Sequence, residues 1–258
     1  MMQVAFPNLE ILGIFNMSGL KRICHNKLYE NSFSKLKRLN VKNVEDLQNV
    51  FQSHYVLRRF QNLESLEVVN CSSLEKVFDI QELKDVKAGR EMVSSKLRIL
   101  YIAHLPKLQC IWNNNAGEIH SFQDLHTVRA LDCPNVKSIF PHYMARSLGK
   151  LKFLEIVSCG VEEIISYEEG LQIVPEFEFP QLTKLVLVRL PQLKRFYPGK
   201  QTVEFPKLKY LKVYECDNIE IFSSESESVE EEFSEGDQPD GSQQPLMSAE
   251  KVCFLTPC

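Results

Sequence analysis

Apolar residues return along this chain at intervals of 26 to 34 residues. A leucine anchor stands at Leu9, Leu36, Leu63, Leu97, Leu125, Leu151, Leu182 and Leu208. Three residues after each anchor come Leu12, Leu39, Leu66, Leu100, Val128, Leu154, Leu185 and Leu211. Five after it come Ile14, Val41, Val68, Ile102, Ala130, Ile156, Leu187 and Val213. Side chains alternate along a strand, so the third and fifth positions share one face, and each unit predicts a short half-buried strand.

The eighth position holds Met17, Val44, Cys71, Leu105, Cys133, Cys159, Leu190 and Cys216, and the eleventh is again apolar from Leu20 to Ile219, with Val161 one place early in a shorter sixth unit. A further inward position follows at Ile23, Val50, Val77, Ile111, Ile139, Ile164, Phe196 and Phe222, and most units open on phenylalanine. A strand this short cannot bury its face alone. The units must stack, with strands pairing in parallel about 4.8 Å apart into a sheet roughly 34 Å across. The unit resembles the leucine-rich repeat, L-x-x-L-x-L-x-x-[N/C]-x-L, over residues 6 to 222. The resemblance implies an α/β leucine-rich repeat solenoid, a horseshoe of about eight repeats. Its parallel β-sheet would be concave, with loops and short helices on the convex side.

Connections of uneven length belong on that convex side. Asp79 to Val93 carries Ile80, Leu83 and Val86 at helical spacing, and Phe140 to Leu148 has a proline suited to a first helical turn, so both predict short helices. Elsewhere irregular or tight-turn backbone is expected. Pro106, Pro134 and Pro191 follow the eighth position, where a missing N–H ends strand pairing.

Charge divides the chain after Phe222. The formal net charge of −4 combines residues 1 to 222, with 29 bases and 25 acids, and residues 223 to 258, with nine acids and one lysine. This marks 1–222 as the repeat domain and 223–258 as an acidic Ser/Glu-rich tail too poor in apolar residues to fold. No run of about 18 apolar residues exists to cross a bilayer, and no basic segment precedes the first apolar stretch, so no membrane role is expected. Eight cysteines without a C-x-x-C pair announce neither a disulfide scaffold nor a zinc site. The setting expected is reduced and intracellular, the cytoplasm first with the nucleus open.

Chemistry has no candidate constellation. The four eighth-position cysteines alternate with methionine, valine and leucine, an exchange that packing explains and metal ligation does not. The six histidines are scattered, and neither G-x-S-x-G nor a phosphate-binding glycine loop occurs. We therefore expect no catalytic residue, cofactor or metal. What stands out is a surplus of apolar residues between the buried strand positions of units four to eight. The rows two, four and six after the anchor offer Ile99, Tyr101, Leu131, Phe153, Val157, Val186, Val188, Tyr210 and Tyr214, interleaved with Arg129, Glu155, Lys184 and Lys212. That mix suits a protein interface, where aromatic anchors and arginine carry most of the energy. Nucleic acid is disfavoured, because the positive excess of residues 1 to 222 is small for its length and acids interrupt the rows.

The phrases Phe179-Pro180-Gln181-Leu182 to Leu190-Pro191-Gln192-Leu193, Phe205-Pro206-Lys207-Leu208 to Cys216, and Ser138-Ile139-Phe140-Pro141 to Leu148 look like plant intracellular immune receptors. They resemble the leucine-rich repeat region of coiled-coil nucleotide-binding disease-resistance proteins. That resemblance implies a recognition and autoinhibition module in plant defence. Its partners would be a pathogen effector, a guarded host protein, or a nucleotide-binding domain in cis or trans. The chain departs from the family in carrying no P-loop, downstream nucleotide-binding signature or coiled-coil heptads, so ATP or ADP binding is not carried over. With no polar cap ahead of Phe6, a fragment, a truncated product or a module needing a partner on its N-terminal side is expected. The competing reading is a leucine-rich repeat adaptor that recruits substrates to a ubiquitin ligase, although no F-box helices precede the repeats.

Overall fold

The computed structural model describes residues 6–24, 32–79, 93–112, 120–166, 177–197 and 203–219. The chain divides into two compact units, Met1–Ile219 and Glu220–Cys258, and every described residue lies in the first. The tail expected from residue 223 lies outside the described residues.

Each anchor opens one strand of a single eight-stranded sheet. In chain order these are β1 (Ile11–Met17), β2 (Arg38–Val44), β3 (Ser65–Val69), β4 (Ile99–Ala103), β5 (Thr127–Leu131), β6 (Phe153–Val157), β7 (Lys184–Val188) and β8 (Tyr210–Tyr214). They pair in chain order, all parallel, and the register sets equivalent positions of successive units side by side, as in Leu100↔Val128 and Leu154↔Leu185. The third and fifth positions are fully buried from β2 to β6, as the two-residue alternation requires.

Two tight turns bracket the strand. One joins the opening position to the anchor, with Leu36, Leu63, Leu125, Leu151, Leu182 and Leu208 each donating their backbone N–H to the carbonyl three residues back. The other joins the eighth to the eleventh position, as Leu74 N–H to Cys71 O, Leu108 to Leu105, Val136 to Cys133 and Leu193 to Leu190. Both turns point their apolar ends inward, so the repeated spacing of the sequence is the spacing of these corners. The opening phenylalanines form a stack through Phe6, Phe33 and Phe60, with centroids 5.8 and 5.3 Å apart. Phe51, Phe78 and Trp112 form a second stack that meets Phe60 and Phe122 edge to face.

The far side of the coil corrects the expectation of irregular backbone. Asn49–Phe51, Lys76–Phe78 and Cys110–Trp112 form a three-stranded parallel sheet, and Ser138–Phe140 pairs with Glu163–Ile165. The middle residue of each of these strands is the inward position that follows the eleventh, fourteen after the anchor at Val50, Val77, Ile111 and Ile139 and thirteen after it at Ile164 in the shorter sixth unit. Stacking places identical backbone stretches side by side, and unpaired N–H and C=O groups there would cost more than the pairing. Two-residue strands at Val93–Ser94 and His120–Ser121, and at Phe177–Glu178 and Val203–Glu204, pair at the start of their units.

Helix is scarce. The expected Phe140 to Leu148 helix is a 3-10 helix over His142–Ser147. A single α-helical turn and a half, His54–Arg59, is capped by the Ser53 hydroxyl accepting from Val56 N–H at 3.3 Å and buries Val56 and Leu57. The helix expected after Asp79 falls on residues outside those described. Among the described residues no helix is long and apolar enough to cross a membrane.

Candidate functional site

The open face of the eight-stranded sheet, the one expected to be concave, carries the rows between the buried ladders. Register brings the sequence candidates together in three lines across β4 to β8. Ile99, Thr127, Phe153, Lys184 and Tyr210 form the first; Tyr101, Arg129, Glu155, Val186 and Lys212 the second; Ala103, Leu131, Val157, Val188 and Tyr214 the third. Ile99, Tyr210 and Tyr214 are exposed, at 44%, 48% and 47%, as are Lys184 and Lys212. Tyr101, Arg129, Leu131, Phe153 and Glu155 are half-buried.

Val186 corrects the expectation of exposure, since it is only 6% accessible. Its short branched side chain sits between the longer Glu155 and Lys212 on the adjoining strands. It supports the face and is not offered to solvent.

Charges and rings on this face are ordered. The Arg129 guanidinium lies 5.1 Å from the Tyr101 ring centre and 6.0 Å from that of Phe153. The Lys184 ammonium lies 4.7 Å from Phe153 and 5.1 Å from Tyr210. The result is an unbroken strip, Tyr101–Arg129–Phe153–Lys184–Tyr210, in which each cation is shared by two rings. Both acids on the open face are engaged: Glu155 with Arg129, and Glu67 with Lys42 at 2.8 Å. Lys212 has no ion-pair partner among the described residues, so the unneutralised charge on β7 and β8 is positive.

Sequence reasoning missed the seventh position. Asn16, Asn43, Asn70, His104, Asp132, Ser158, Arg189 and Glu215 all adopt left-handed backbone, φ between 51° and 56°. The chain leaves the sheet there without breaking the stack, since Asn70, His104, Asp132, Ser158 and Arg189 each donate N–H to the next unit's sixth-position carbonyl. The side chains continue this ladder. Asn43 Nδ2 donates to Asn16 Oδ1 at 2.7 Å, Asn70 Nδ2 to Asn43 Oδ1 at 3.0 Å, and Arg189 Nε to Ser158 Oγ at 2.9 Å. Asn43, Asn70, His104, Asp132 and Ser158 line a shallow groove of about 790 Å³ along this edge. The signal available was the asparagine at three successive seventh positions, the residue that tolerates left-handed backbone best after glycine.

The ladder cysteines are buried thiols. Cys71, Cys133, Cys159 and Cys216 each turn Sγ toward the carbonyl two residues back, at 3.3 to 3.5 Å. The left-handed residue between brings that carbonyl into reach. Burial pushes the Cys71 and Cys216 thiols up from their ordinary range, and Cys24 up to about 12. Cys133 is held up by its hydrogen bond with Cys159 and by burial. Among the described residues no group of three or more histidine, cysteine or acidic side chains could hold a metal ion.

A face of rings and cations with both its acids held in ion pairs can bind a surface. Comparison with curated proteins returns no match. Comparison with protein families matches residues 8–160, more than half of the chain, to the leucine-rich repeats of plant disease resistance proteins of the RPS2-like type. The parallel one-strand-per-repeat coil agrees with that match, and the chain belongs to the RPS2-like leucine-rich repeat family of plant disease resistance proteins.

Proposed function

We propose that this chain is a non-catalytic protein-recognition module of plant defence whose binding surface is the open face of β4 to β8. The observation that carries the reading is the strip Tyr101–Arg129–Phe153–Lys184–Tyr210. Rings held by shared cations lose little side-chain freedom on binding, and such aromatic and arginine anchors dominate interface energies. Ile99, Leu131, Tyr214, Glu155 and Lys212 would surround it, with Val186 beneath. The partner would be a pathogen effector, a guarded host protein or a nucleotide-binding domain, met inside the cell. The buried free thiols support a reducing compartment.

Replacing Tyr101, Phe153 and Tyr210 together by alanine tests this reading. Each ring belongs to the exposed or half-buried row, so the melting curve should stay nearly unchanged. Capture of the defence partner, by co-precipitation from tissue expressing the tagged chain, should be lost, each anchor being worth about 2 kcal/mol. Undiminished capture would place the interface elsewhere, and loss of folding would place the rings in the core.

A further inference from the structure

The residues on either side of the anchor alternate between successive units. In even units they are both basic: Lys35 and Lys37, Lys96 and Arg98, Lys150 and Lys152, Lys207 and Lys209, all exposed. In odd units they are Asn8 and Glu10, Asn62 and Glu64, Asp124 and His126, Gln181 and Thr183. Sheet order then puts a basic pair at the leading edge of every second strand, β2, β4, β6 and β8. Eight bases face three acids along one edge.

The acids do not cancel the stripe. Glu10 holds Lys37 at 3.0 Å and Asp124 holds Lys150 at 2.6 Å, which pulls the Asp124 carboxyl below its usual range. Lys35 and Lys207 donate only to the neutral amides of Asn8 and Gln181, at 2.9 and 3.1 Å. Lys96, Arg98, Lys152 and Lys209 form no ion pair among the described residues, although Arg98 is close enough to Asp124 to add to the lowering of its carboxyl. Alternation is what lets the edge hold this charge. Like charges on neighbouring strands, about 4.8 Å apart, would repel by about 1 kcal/mol in water, whereas at about 9.6 Å they are screened at physiological salt. It does not explain why the charge is there, because neutral residues would serve a solvated edge as well.

We propose that this edge is a second docking surface, for an extended acidic peptide segment in polyproline II conformation with a carboxylate at every third residue. The spacing selects the conformation. A polyproline II chain repeats its face every third residue, about 9.3 Å, so over the three intervals from β2 to β8 it drifts from the basic pairs by only about 1 Å. A β-strand shows successive third residues on opposite faces, and a helix repeating every seventh residue drifts nearly three times as far. Carboxylates fit singly between the two cations that flank each anchor.

The probe is a fluorescent (Glu-Pro-Pro)4 peptide titrated against the full chain by anisotropy at low salt, beside an isomer with its four glutamates contiguous. Registered contacts act together, so the periodic peptide should bind about tenfold or more tightly than the isomer, and salt should weaken it. Changing Lys96, Arg98, Lys150 and Lys152 to glutamine should remove most of the binding, while Lys96→Arg with Lys152→Arg keeps it. Circular dichroism checks that both variants melt as the parent does. Alanine at Tyr101, Phe153 and Tyr210 should leave this titration unchanged, which separates the edge from the open face. Equal binding of the two isomers, no binding of either, or equally tight binding of a thymidine pentanucleotide bearing four phosphates would overturn the proposal.

Discussion

The residue that decides whether one unit can follow another is the seventh. Eight non-glycine side chains occupy left-handed backbone there, a conformation that costs an ordinary L-residue roughly 1 to 2 kcal/mol, and asparagine less. Asn43 offsets that cost, since its amide donates to Asn16 and accepts from Asn70 while its φ is 56°. Two substitutions separate the contributions. Asn43→Gly keeps the backbone freedom and removes both side-chain bonds, so we expect a loss of about 1 kcal/mol in urea unfolding. Asn43→Ala removes the bonds and adds the left-handed strain, so it should cost about 2 kcal/mol or more. Equal losses would mean that the backbone conformation is of no consequence and the amide ladder carries the whole effect.

At the scale of the element, the sixth unit makes a one-residue deletion fit. Its turn after β6 contains Gly160, where a Cβ would lie 1.9 Å from the Pro134 carbonyl oxygen of the unit before, and Gly160 N–H donates to Cys133 O at 3.2 Å. The obstacle is backbone, which cannot swing aside as a side-chain tip would. Gly160→Ala should therefore cost about 1 to 3 kcal/mol although the residue has no unusual φ. Alanine at Gly149, which has open space around it, should cost far less, and a comparison of melting temperatures tells the two apart. The eight sheet strands were legible because buried ladders at fixed offsets are written in leucine, valine and isoleucine. The pairing on the far side was not, because its three-residue strands bury both the middle and the last side chain and so show no two-residue period; pairing there follows from stacking and is not encoded within any single unit. The exposed rows were read correctly at Ile99 and Tyr210 and misread at Val186. Burial of a sheet-face residue depends on the lengths of its neighbours across the strands, and these become visible only with the register. The alternating basic pairs were hidden for a related reason: each flanks a leucine and looks like an ordinary solvated lysine until every second strand is seen to carry it.

For the whole Met1–Ile219 unit, stability is close to a sum over neighbours, because strand pairing joins each turn to the one before and the one after, and contacts that skip a turn, such as Phe78 with Phe122, are few among the described residues. Burial grades accordingly. Leu154 and Ile156 on β6 are fully enclosed, whereas Leu12 and Ile14 on β1 are only half-buried and Leu211 on β8 is 40% exposed. β1 pairs with β2 alone and β8 with β7 alone in this sheet. Local opening should therefore cost least at β1 and β8 and most from β4 to β6. Native-state hydrogen exchange should show amides of the outer strands exchanging about tenfold or more faster than those of β5 and β6. Core substitutions should follow the same gradient. Leu154→Ala leaves a cavity with neighbours on both sides and should cost about 2 to 5 kcal/mol, while Leu12→Ala, half-solvated already, should cost about half of that. If the two substitutions cost the same, or if exchange is uniform from β1 to β8, the coil unfolds as one cooperative block and the neighbour-by-neighbour description fails.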